Sequence, residues 1–340
     1  MPAQTPQQLQ ERFGGPHVTF DAGQGGLTRV RVNGPAASAE LYLHGAHLTA
    51  WQPAGQGPVL WMSQRSWFEA GKPIRGGVPI CLPWFGPHPS DPTAPGHGTF
   101  RLQEWELAQV GSHGDAVRLV LRHAWSELDR RWFAQPLEAR YTVSVGAALS
   151  LELAVTNRDA KPVRLAEALH TYLAVADVRK VRILGLERTD YLDKTAGGAR
   201  KNQGDSPIQI SAETDRVYLD TSATCTLEDP AGDTANAASA GTGAAPPGAT
   251  AAAATGASTA APALAANRGR GRRIIIEKSG SATMVVWNPW IAKSAAMPDF
   301  GDDEWPGMVC METANAHDNA VHIAPGETHR MSARVSVEAR

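Results

Sequence analysis

The fold class of this chain is decided by the segment YTVSVGAALSLELAV, residues 141–155 of a total of 340. Apolar residues alternate there with small or polar ones, first from Tyr141 to Val145 and then from Leu149 to Val155. A period of two places every second side chain on the same face of an extended strand. The segment therefore predicts half-buried antiparallel strands.

Similar alternation recurs along the chain, with Gly, Pro, Asn or Asp at many of the joins. No long segment shows the 3.6-residue period of an amphipathic helix. Many short strands separated by turn residues are typical of an all-β sandwich or barrel, which can exceed roughly 200 residues as one domain. We therefore predict a single all-β domain over residues 1–340. Further strands are expected near 41–43, 117–121, 274–276, 284–287 and 331–337.

Residues 231–266 break this pattern, because they consist almost entirely of Ala, Gly, Thr, Ser and Pro. Interspersed Gly and Pro prevent a long alanine helix, and the segment lacks large apolar side chains to bury. We predict a disordered loop inserted into the β domain. Because lengthening a surface loop costs only about 0.6 kcal/mol per doubling, the segments on either side are expected to pair as neighbouring strands.

The overall composition argues against several classes of partner. Lys and Arg total 32 against 34 Asp and Glu, so the formal net charge of -2 gives no general attraction to nucleic acid or to an anionic membrane. The three cysteines are widely spaced and form no Cys-x-x-Cys pair, which argues against disulfides and structural zinc. No signal core and no stretch of about 18 apolar residues is present. We expect a cytoplasmic monomer.

The stretch from Lys72 to Arg101 is dense in Gly and Pro, which forbid long regular elements. Loops of this kind on a sheet scaffold commonly hold binding sites. Arg75 and Arg101 are either solvated surface charges or planar groups that bind phosphate or paired sugar hydroxyls, and His97 lies between them. Trp84, beside a proline, either fills a core or offers a flat apolar face to a sugar ring.

Three further residues are each open to a structural or a functional interpretation. In residues 167–173, alternation places His170 among apolar neighbours, as expected of a core histidine or of an acid–base group. Glu312 follows the short predicted strand 308–311 and is either solvated or a general base facing a cleft. Asp215 either pairs with the neighbouring arginine or accepts hydrogen bonds from a sugar. The other histidines lack metal-ligand spacing, so no metal site is predicted.

Several motifs occur in order along the chain: GKPIRGG at 71–77, PWFG at 83–86, His97-Gly98 with Arg101, EALHTY at 167–172, DRVY at 215–218, WNPWI at 287–291 with Lys293, and ETANAHD at 312–318. Together they resemble the hexose-6-phosphate mutarotases, also called glucose-6-phosphate 1-epimerases, of the wider galactose mutarotase group. The resemblance runs from about residue 41 to the last strand, apart from the insertion. One departure is GTFR at 98–101, where relatives more usually have Gly-Phe-Ala-Arg, so the packing of this loop is open.

The resemblance implies a large antiparallel β-sandwich with a concave sugar site and no cofactor. It also implies that His170 is the general acid and Glu312 the general base. Arg75, His97 and Asp215 match residues that position substrate, and Arg101 matches a phosphate-site arginine. With Trp84, which is included for its flat apolar ring and not for the resemblance, the residues expected to contact substrate are Arg75, His97, Arg101, Asp215 and Trp84.

We therefore predict a cofactor-free interconversion of the α and β anomers of a hexose 6-phosphate. Glu312 would take the proton of the anomeric hydroxyl and His170 would protonate the ring oxygen, after which the open aldehyde recloses with the opposite configuration. The two arginines, with Lys72 or Lys293, would select the phosphate. The alternatives are an aldose 1-epimerase acting on an unphosphorylated sugar and a non-catalytic carbohydrate-binding protein on the same scaffold.

Overall fold

The computed structural model describes residues 4–230 and 271–340. Antiparallel strand pairs dominate it, which confirms the predicted fold class. In the described part the helices are α1 Pro6–Phe13, α2 Glu127–Trp132 and α3 Trp290–Ala296, and none is long and apolar enough to cross a membrane. In chain order the strands are β1 Val18–Ala22, β2 Thr28–Asn33, β3 Ala37–Tyr42, β4 His47–Pro53, β5 Ile80–Cys81, β6 Glu106–His113, β7 Ala116–Ala124, β8 Leu137–Val145, β9 Leu149–Asn157, β10 Val163–Leu165, β11 Glu167–Leu169, β12 Tyr172–Ala174, β13 Arg182–Leu184, β14 Asp190–Asp193, β15 Ala199–Asn202, β16 Thr214–Tyr218, β17 Cys225–Asp229, β18 Arg272–Ser279, β19 Thr283–Asn288, β20 Met308–Asn315, β21 Val321–Ile323 and β22 Thr328–Ala339.

Two eight-stranded sheets form the body of the protein. The site sheet has the order β15-β14-β16-β19-β20-β11-β5, with β12 also paired to β20, and the back sheet has the order β13-β17-β18-β22-β9-β8-β7-β6. One apolar core includes Met311 and Leu169 of the site sheet together with Leu151 and Met331 of the back sheet. The two sheets therefore pack face to face as a sandwich. Strands β1 to β4 form a third sheet, and β10 pairs with β21.

The segment 141–155 forms parts of β8 and β9, which are antiparallel neighbours in the back sheet. Their register pairs Tyr141 with Leu153 and Val145 with Leu149. The alternating apolar side chains are buried, because they face the core between the sheets. The predicted strands and their alternation are confirmed.

The strands on either side of the predicted insertion are neighbours, as expected. Strands β17 and β18 are antiparallel, and their register pairs Asp229 with Arg272. The two side chains form a buried ion pair, with Nε of Arg272 lying 3.4 Å from an oxygen of Asp229. The predicted disordered loop at 231–266 lies outside the described residues.

Two local expectations were wrong. Glu312 does not follow the end of a strand, because β20 continues to Asn315 and pairs with β19 on one side and β11 on the other. All eight residues of β20 are buried, including its polar ones. The alternation over 167–173, which is typical of one continuous strand, belongs to two: β11 ends at Leu169 and β12 begins at Tyr172. Both corrections arise from pairing between strands, which local alternation does not report.

Candidate active site

The centre of the site is a direct contact between His170 and Glu312. Nε2 of the histidine lies 3.2 Å from Oε1 of the glutamate. Glu312 is in the middle of β20 and is 1% exposed, and His170 is 8% exposed. Because β11 and β12 both pair with β20, the break between them places His170 beside the part of β20 that carries Glu312. Strand pairing thus joins two residues that are distant in sequence.

Each member of this pair also has a buried polar atom without a hydrogen-bond partner. These atoms are Nδ1 of His170 and Oε2 of Glu312. A buried polar atom left unpaired costs about 1–3 kcal/mol. Such a cost is unusual in a folded protein and calls for an explanation at each position. A ligand with hydrogen-bonding oxygens would recover part of it.

Burial shifts the pKa values of the two groups towards their neutral forms. Burial raises the pKa of Glu312 well above its usual value, and the charge of Asp215 raises it further. The positive charges of Lys194 and Arg101 oppose this rise. Burial lowers the pKa of His170 well below its usual value, and the charge of Arg101 adds to that shift. The pair therefore holds one transferable proton over a wide pH range.

His97 lies next to this pair, with its ring centroid 5.6 Å from that of His170. The backbone N–H of Gly86 donates to Nδ1 of His97 at 3.3 Å. Burial, followed by the charge of Arg101, lowers the pKa of His97 well below its usual value, so the ring is neutral. With Nδ1 accepting, Nε2 carries the ring proton and is available to donate to a ligand.

The loop that carries His97 is held by an unusual backbone. His97 itself has a φ of 62°, in the left-handed region that few residues with a side chain adopt. Gly98 has a φ of 80°, and a Cβ atom there would lie 1.8 Å from the carbonyl oxygen of Leu82. Only glycine fits this approach. The loop therefore packs closely against the backbone of Leu82, and this contact fixes the orientation of the His97 side chain.

The two predicted arginines have different surroundings. The guanidinium of Arg75 forms an ion pair with Asp299, at 3.0 Å from Nη2 to Oδ2, and its Nη1 donates to the hydroxyl of Tyr172 at 3.0 Å. The ring of Tyr172 stacks on His170 with centroids 4.8 Å apart. Arg75 thus has a compensated charge and supports His170 through Tyr172.

Arg101 carries a charge that no carboxylate in residues 4–230 or 271–340 neutralises by an ion pair. Its Nη2 donates to the carbonyl oxygen of Gly96 at 2.7 Å, while its Nε is buried without a partner. Its charge lowers the pKa values of His97 and His170. Arg101 is therefore a suitable cation for an anionic ligand at this site.

Asp215 also belongs to the site sheet. It lies in β16, and the register aligns it with Trp287 of β19, which in turn aligns with Cys310 of β20. Burial raises the pKa of Asp215. The surface pair with the neighbouring Arg216 is not formed, since that guanidinium lies over the ring of Tyr191, 5.1 Å from its centroid. Asp215 is thus available to accept a hydrogen bond.

Trp84 has contacts of its own that do not include the His170–Glu312 pair. It is 5% exposed, its indole N–H donates to the carbonyl oxygen of Pro95 at 3.0 Å, and its ring meets His88 edge-on. The aromatic ring that contacts His97 is that of Phe85, with centroids 4.9 Å apart. Phe85 directly follows Trp84 in the PWFG motif, but the sequence did not single it out as a residue of the site.

The sequence interpretation missed two other residues. Asp299 forms an ion pair with Arg75, but it lies in none of the motifs recognised in the sequence. Lys194 directly follows Asp193, in a segment that none of the motifs recognised in the sequence includes. The two lysines that were considered have partners, because Lys72 pairs with Glu69 at 2.8 Å and Lys293 pairs with Glu213 at 3.0 Å.

Cys310 adds a third potential metal ligand beside the acid–base pair. The ligand atoms of His170, Cys310 and Glu312 all lie within 4.8 Å of one another. Burial raises the pKa of Cys310 well above its usual value, so the thiol is protonated. A transition metal with tetrahedral preference could be held by this set, but it would take the same atoms that form the contact between His170 and Glu312. That no metal is used stays a prediction.

A β-sandwich with a buried histidine–glutamate contact among other hydrogen-bonding groups is compatible with an enzyme that moves protons on a sugar. The model of the aldose 1-epimerase family matches residues 29–336, and the chain belongs to that family. The expected resemblance and the enzyme class are thereby confirmed.

Similar proteins agree with this assignment. A protein from Cenchrus ciliaris named "Putative glucose-6-phosphate 1-epimerase" is 31% identical, over 90% of this chain and 83% of that one. A protein of the same name from Escherichia coli is 30% identical, over 85% and 84%. The crystal structure of a "putative mutarotase" from Salmonella typhimurium has a TM-score of 0.79 at 27% identity, covering 96% of this chain and 95% of that one. Galactose 1-epimerase from Lactobacillus acidophilus, at 11% identity and a TM-score of 0.63 over 95% and 98%, shares the fold.

Proposed function

We propose that this enzyme interconverts the α and β anomers of a hexose 6-phosphate, with His170 and Glu312 as its acid and base. The buried contact of 3.2 Å between them carries the proposal. Opening a pyranose requires one proton to leave the anomeric hydroxyl and another to reach the ring oxygen, and both oxygens are bonded to C1. A close acid–base pair matches that requirement.

The reaction balances without any other reagent. The carboxylate of Glu312 takes the proton of the O1 hydroxyl, and the imidazolium of His170 protonates O5 as the C1–O5 bond breaks. The aldehyde rotates about C1–C2 and recloses, and both protons return. Proton transfer from Glu312 to His170 across their contact converts the neutral pair into this reactive form. Each positioned acid or base contributes about 10² to 10⁴ in rate.

Other residues of the site bind the sugar in this scheme. His97 donates from Nε2 to a sugar oxygen, and Asp215 accepts from a hydroxyl group. Arg101 binds the phosphate through a charge-assisted hydrogen bond. Arg75, whose charge Asp299 compensates, positions His170 through Tyr172. The names of the relatives from Cenchrus ciliaris and Escherichia coli support the phosphorylated substrate.

We further propose that the enzyme acts as a cytoplasmic monomer on a small sugar phosphate. The formal net charge of -2 supports this proposal, because it offers no general attraction for nucleic acid or for an anionic membrane. The three cysteines are free and buried, as suits a reducing compartment. The mechanism itself calls for no cofactor, because both protons are returned.

Exchange NMR of the anomeric protons tests the function. We expect the enzyme to accelerate interconversion of glucose 6-phosphate with a higher kcat/KM than that of glucose. Equal values for the two sugars would instead identify an aldose 1-epimerase without phosphate selectivity. Saturable binding without acceleration of either sugar would identify a carbohydrate-binding protein and contradict the proposal.

A further inference from the structure

A sugar phosphate is close to a dianion at neutral pH, because its second pKa is about 6. A selective site therefore needs cations whose charge the protein has not already compensated. Three cations that the sequence offered as phosphate-binding residues are paired internally: Arg75 with Asp299, Lys72 with Glu69, and Lys293 with Glu213. Apart from these, Arg101 alone would face two negative charges.

Lys194 has no such partner in the described part of the chain. It begins a short turn directly after β14 and is half-buried. The neighbouring carboxylate of Asp193 is already occupied, because it accepts from Lys201 at 2.7 Å and from the Thr195 hydroxyl at 2.6 Å. The ammonium of Lys194 is therefore an uncompensated charge.

This ammonium lies over the loop that carries His97. Its Nζ atom is 3.5 Å from the position that a Cβ atom on Gly86 would occupy. Two hydrogen bonds join Gly86 to His97. The N–H of Gly86 donates to Nδ1 of His97 at 3.3 Å, and its carbonyl oxygen accepts from the backbone N–H of His97 at 2.7 Å. The absence of a side chain at Gly86 leaves the space beside Nζ open.

The charge of Lys194 also acts on the reacting groups. It opposes the burial that raises the pKa values of Glu312 and Asp215, and it adds to the burial that lowers the pKa of His97. Arg101 acts on both Glu312 and His97 in the same directions. Both cations thus act on these two groups, and neither has an ion-pair partner in the described residues.

We propose that Lys194 is a specificity-determining residue that binds the 6-phosphate together with Arg101. This inference rests on the proposed function. In this arrangement the phosphate meets one guanidinium and one ammonium, and the Nε2–H of His97 donates to a sugar oxygen nearby. A free hexose makes none of the contacts to Lys194.

The test compares Lys194→Met with the wild-type enzyme, because methionine keeps an apolar stem of similar length and removes the charge. The kcat/KM for glucose 6-phosphate should fall about 10- to 100-fold, the worth of a hydrogen bond to a charged group. The kcat/KM for glucose should fall by a much smaller factor, because glucose carries no phosphate and loses only the effect of the Lys194 charge on the pKa of Glu312. Inorganic phosphate, used as a competitive inhibitor, should bind more weakly to the variant, and Lys194→Arg should restore part of the affinity. Lys161→Met, at an exposed position, controls for loss of one positive charge.

Each other outcome has a distinct meaning. Equal losses for both sugars, with a shifted pH profile, would show that Lys194 acts only through the pKa of Glu312, without contacting the phosphate, and would overturn the inference. Unchanged phosphate inhibition in Lys194→Met would overturn it as well. A wild-type enzyme without preference for the phosphorylated sugar would instead remove the proposed function itself, whatever the variant does.

Discussion

The Glu312 carboxyl group lies in the middle of a fully buried strand, where an isolated charge is costly. His170 beside it is equally removed from water, and each group is shifted towards its neutral form. Both shifts favour the arrangement in which Glu312 holds the proton and His170 is neutral. Because the two groups are in contact, a proton can pass between them, as a reaction in which acid and base exchange roles requires.

Replacing Glu312 by glutamine should abolish proton removal while keeping the shape of the side chain. We expect kcat to fall about 10² to 10⁴-fold, as is typical for a general base. The Kd for glucose 6-phosphate, measured by calorimetry, should stay close to that of the wild-type enzyme. A variant that keeps its turnover would show that another group is the base.

The pH dependence of kcat follows from the signs of the two pKa shifts. The active pair holds one proton; it gains a second below the lowered pKa of His170 and loses its own above the raised pKa of Glu312. We therefore expect a broad plateau across neutral pH, without the inflection near about 6.5 that an ordinary histidine would give. Turnover at saturating glucose 6-phosphate from acid to alkaline pH measures this. A narrow bell centred near 6.5 would contradict the assignment.

At the scale of elements, the loop carrying His97 and Arg101 is fixed by a buried polar network. The carboxylate of Asp129 in α2 accepts from the Thr99 hydroxyl at 2.5 Å, and it also contacts His123 at 3.0 Å. Burial raises the pKa of Asp129, but hydrogen bonds from His123 and Thr99, among others, outweigh it and keep the pKa below its usual value. The departure at Thr99 from the pattern of relatives is therefore matched by a partner in α2.

Replacing Thr99 by valine tests this network. The change keeps the shape but removes a hydrogen bond to a charged group, so the free energy of unfolding should fall by about 1.5–3 kcal/mol. Thr99→Ser keeps the hydroxyl and should lose only a buried methyl group, about 1 kcal/mol. Urea unfolding measures both, and kcat/KM should fall further in the valine variant because the loop loosens. Equal stability of the two variants would exclude the proposed role of the network.

At the scale of the whole molecule, the insertion joins two strands that are already paired. The ion pair between Asp229 and Arg272 lies at the ends of β17 and β18 nearest to it. The described contacts between β17 and β18 do not involve residues 231–266, and the candidate site residues all lie outside that range.

Replacing residues 231–266 with a short Gly-Ser linker should leave kcat/KM for glucose 6-phosphate unchanged. Stability should rise by no more than about 2 kcal/mol, because loop closure costs about 0.6 kcal/mol per doubling of length. By contrast, Asp229→Ala should destabilise the protein by up to about 3–5 kcal/mol, because it removes the carboxylate that forms a buried ion pair with Arg272. Thermal and urea unfolding of both variants provide the measurement. A deletion that abolishes activity would assign the insertion a function.

The sequence by itself determined the class of fold and the strands on which it is built. A period of two reports which face of a strand is buried, and this signal is local, so segments such as 141–155 could be recognised directly. The position of the insertion between neighbouring strands also followed from composition. The motifs further indicated the set of site residues, although alternation alone left His170 and Glu312 equally compatible with structural roles.

Only the tertiary structure decided which of those residues meet and which charges remain uncompensated. Pairing of β11 and β12 with β20 brings His170 to Glu312, and it also buries the polar end of β20 that resembled a loop. Asp299 compensates Arg75 from far along the chain, whereas Lys194 lacks such a partner within the described residues. These outcomes depend on distances between remote segments. Local sequence patterns carry no information about them, since pairing and burial are properties of the assembled sheets.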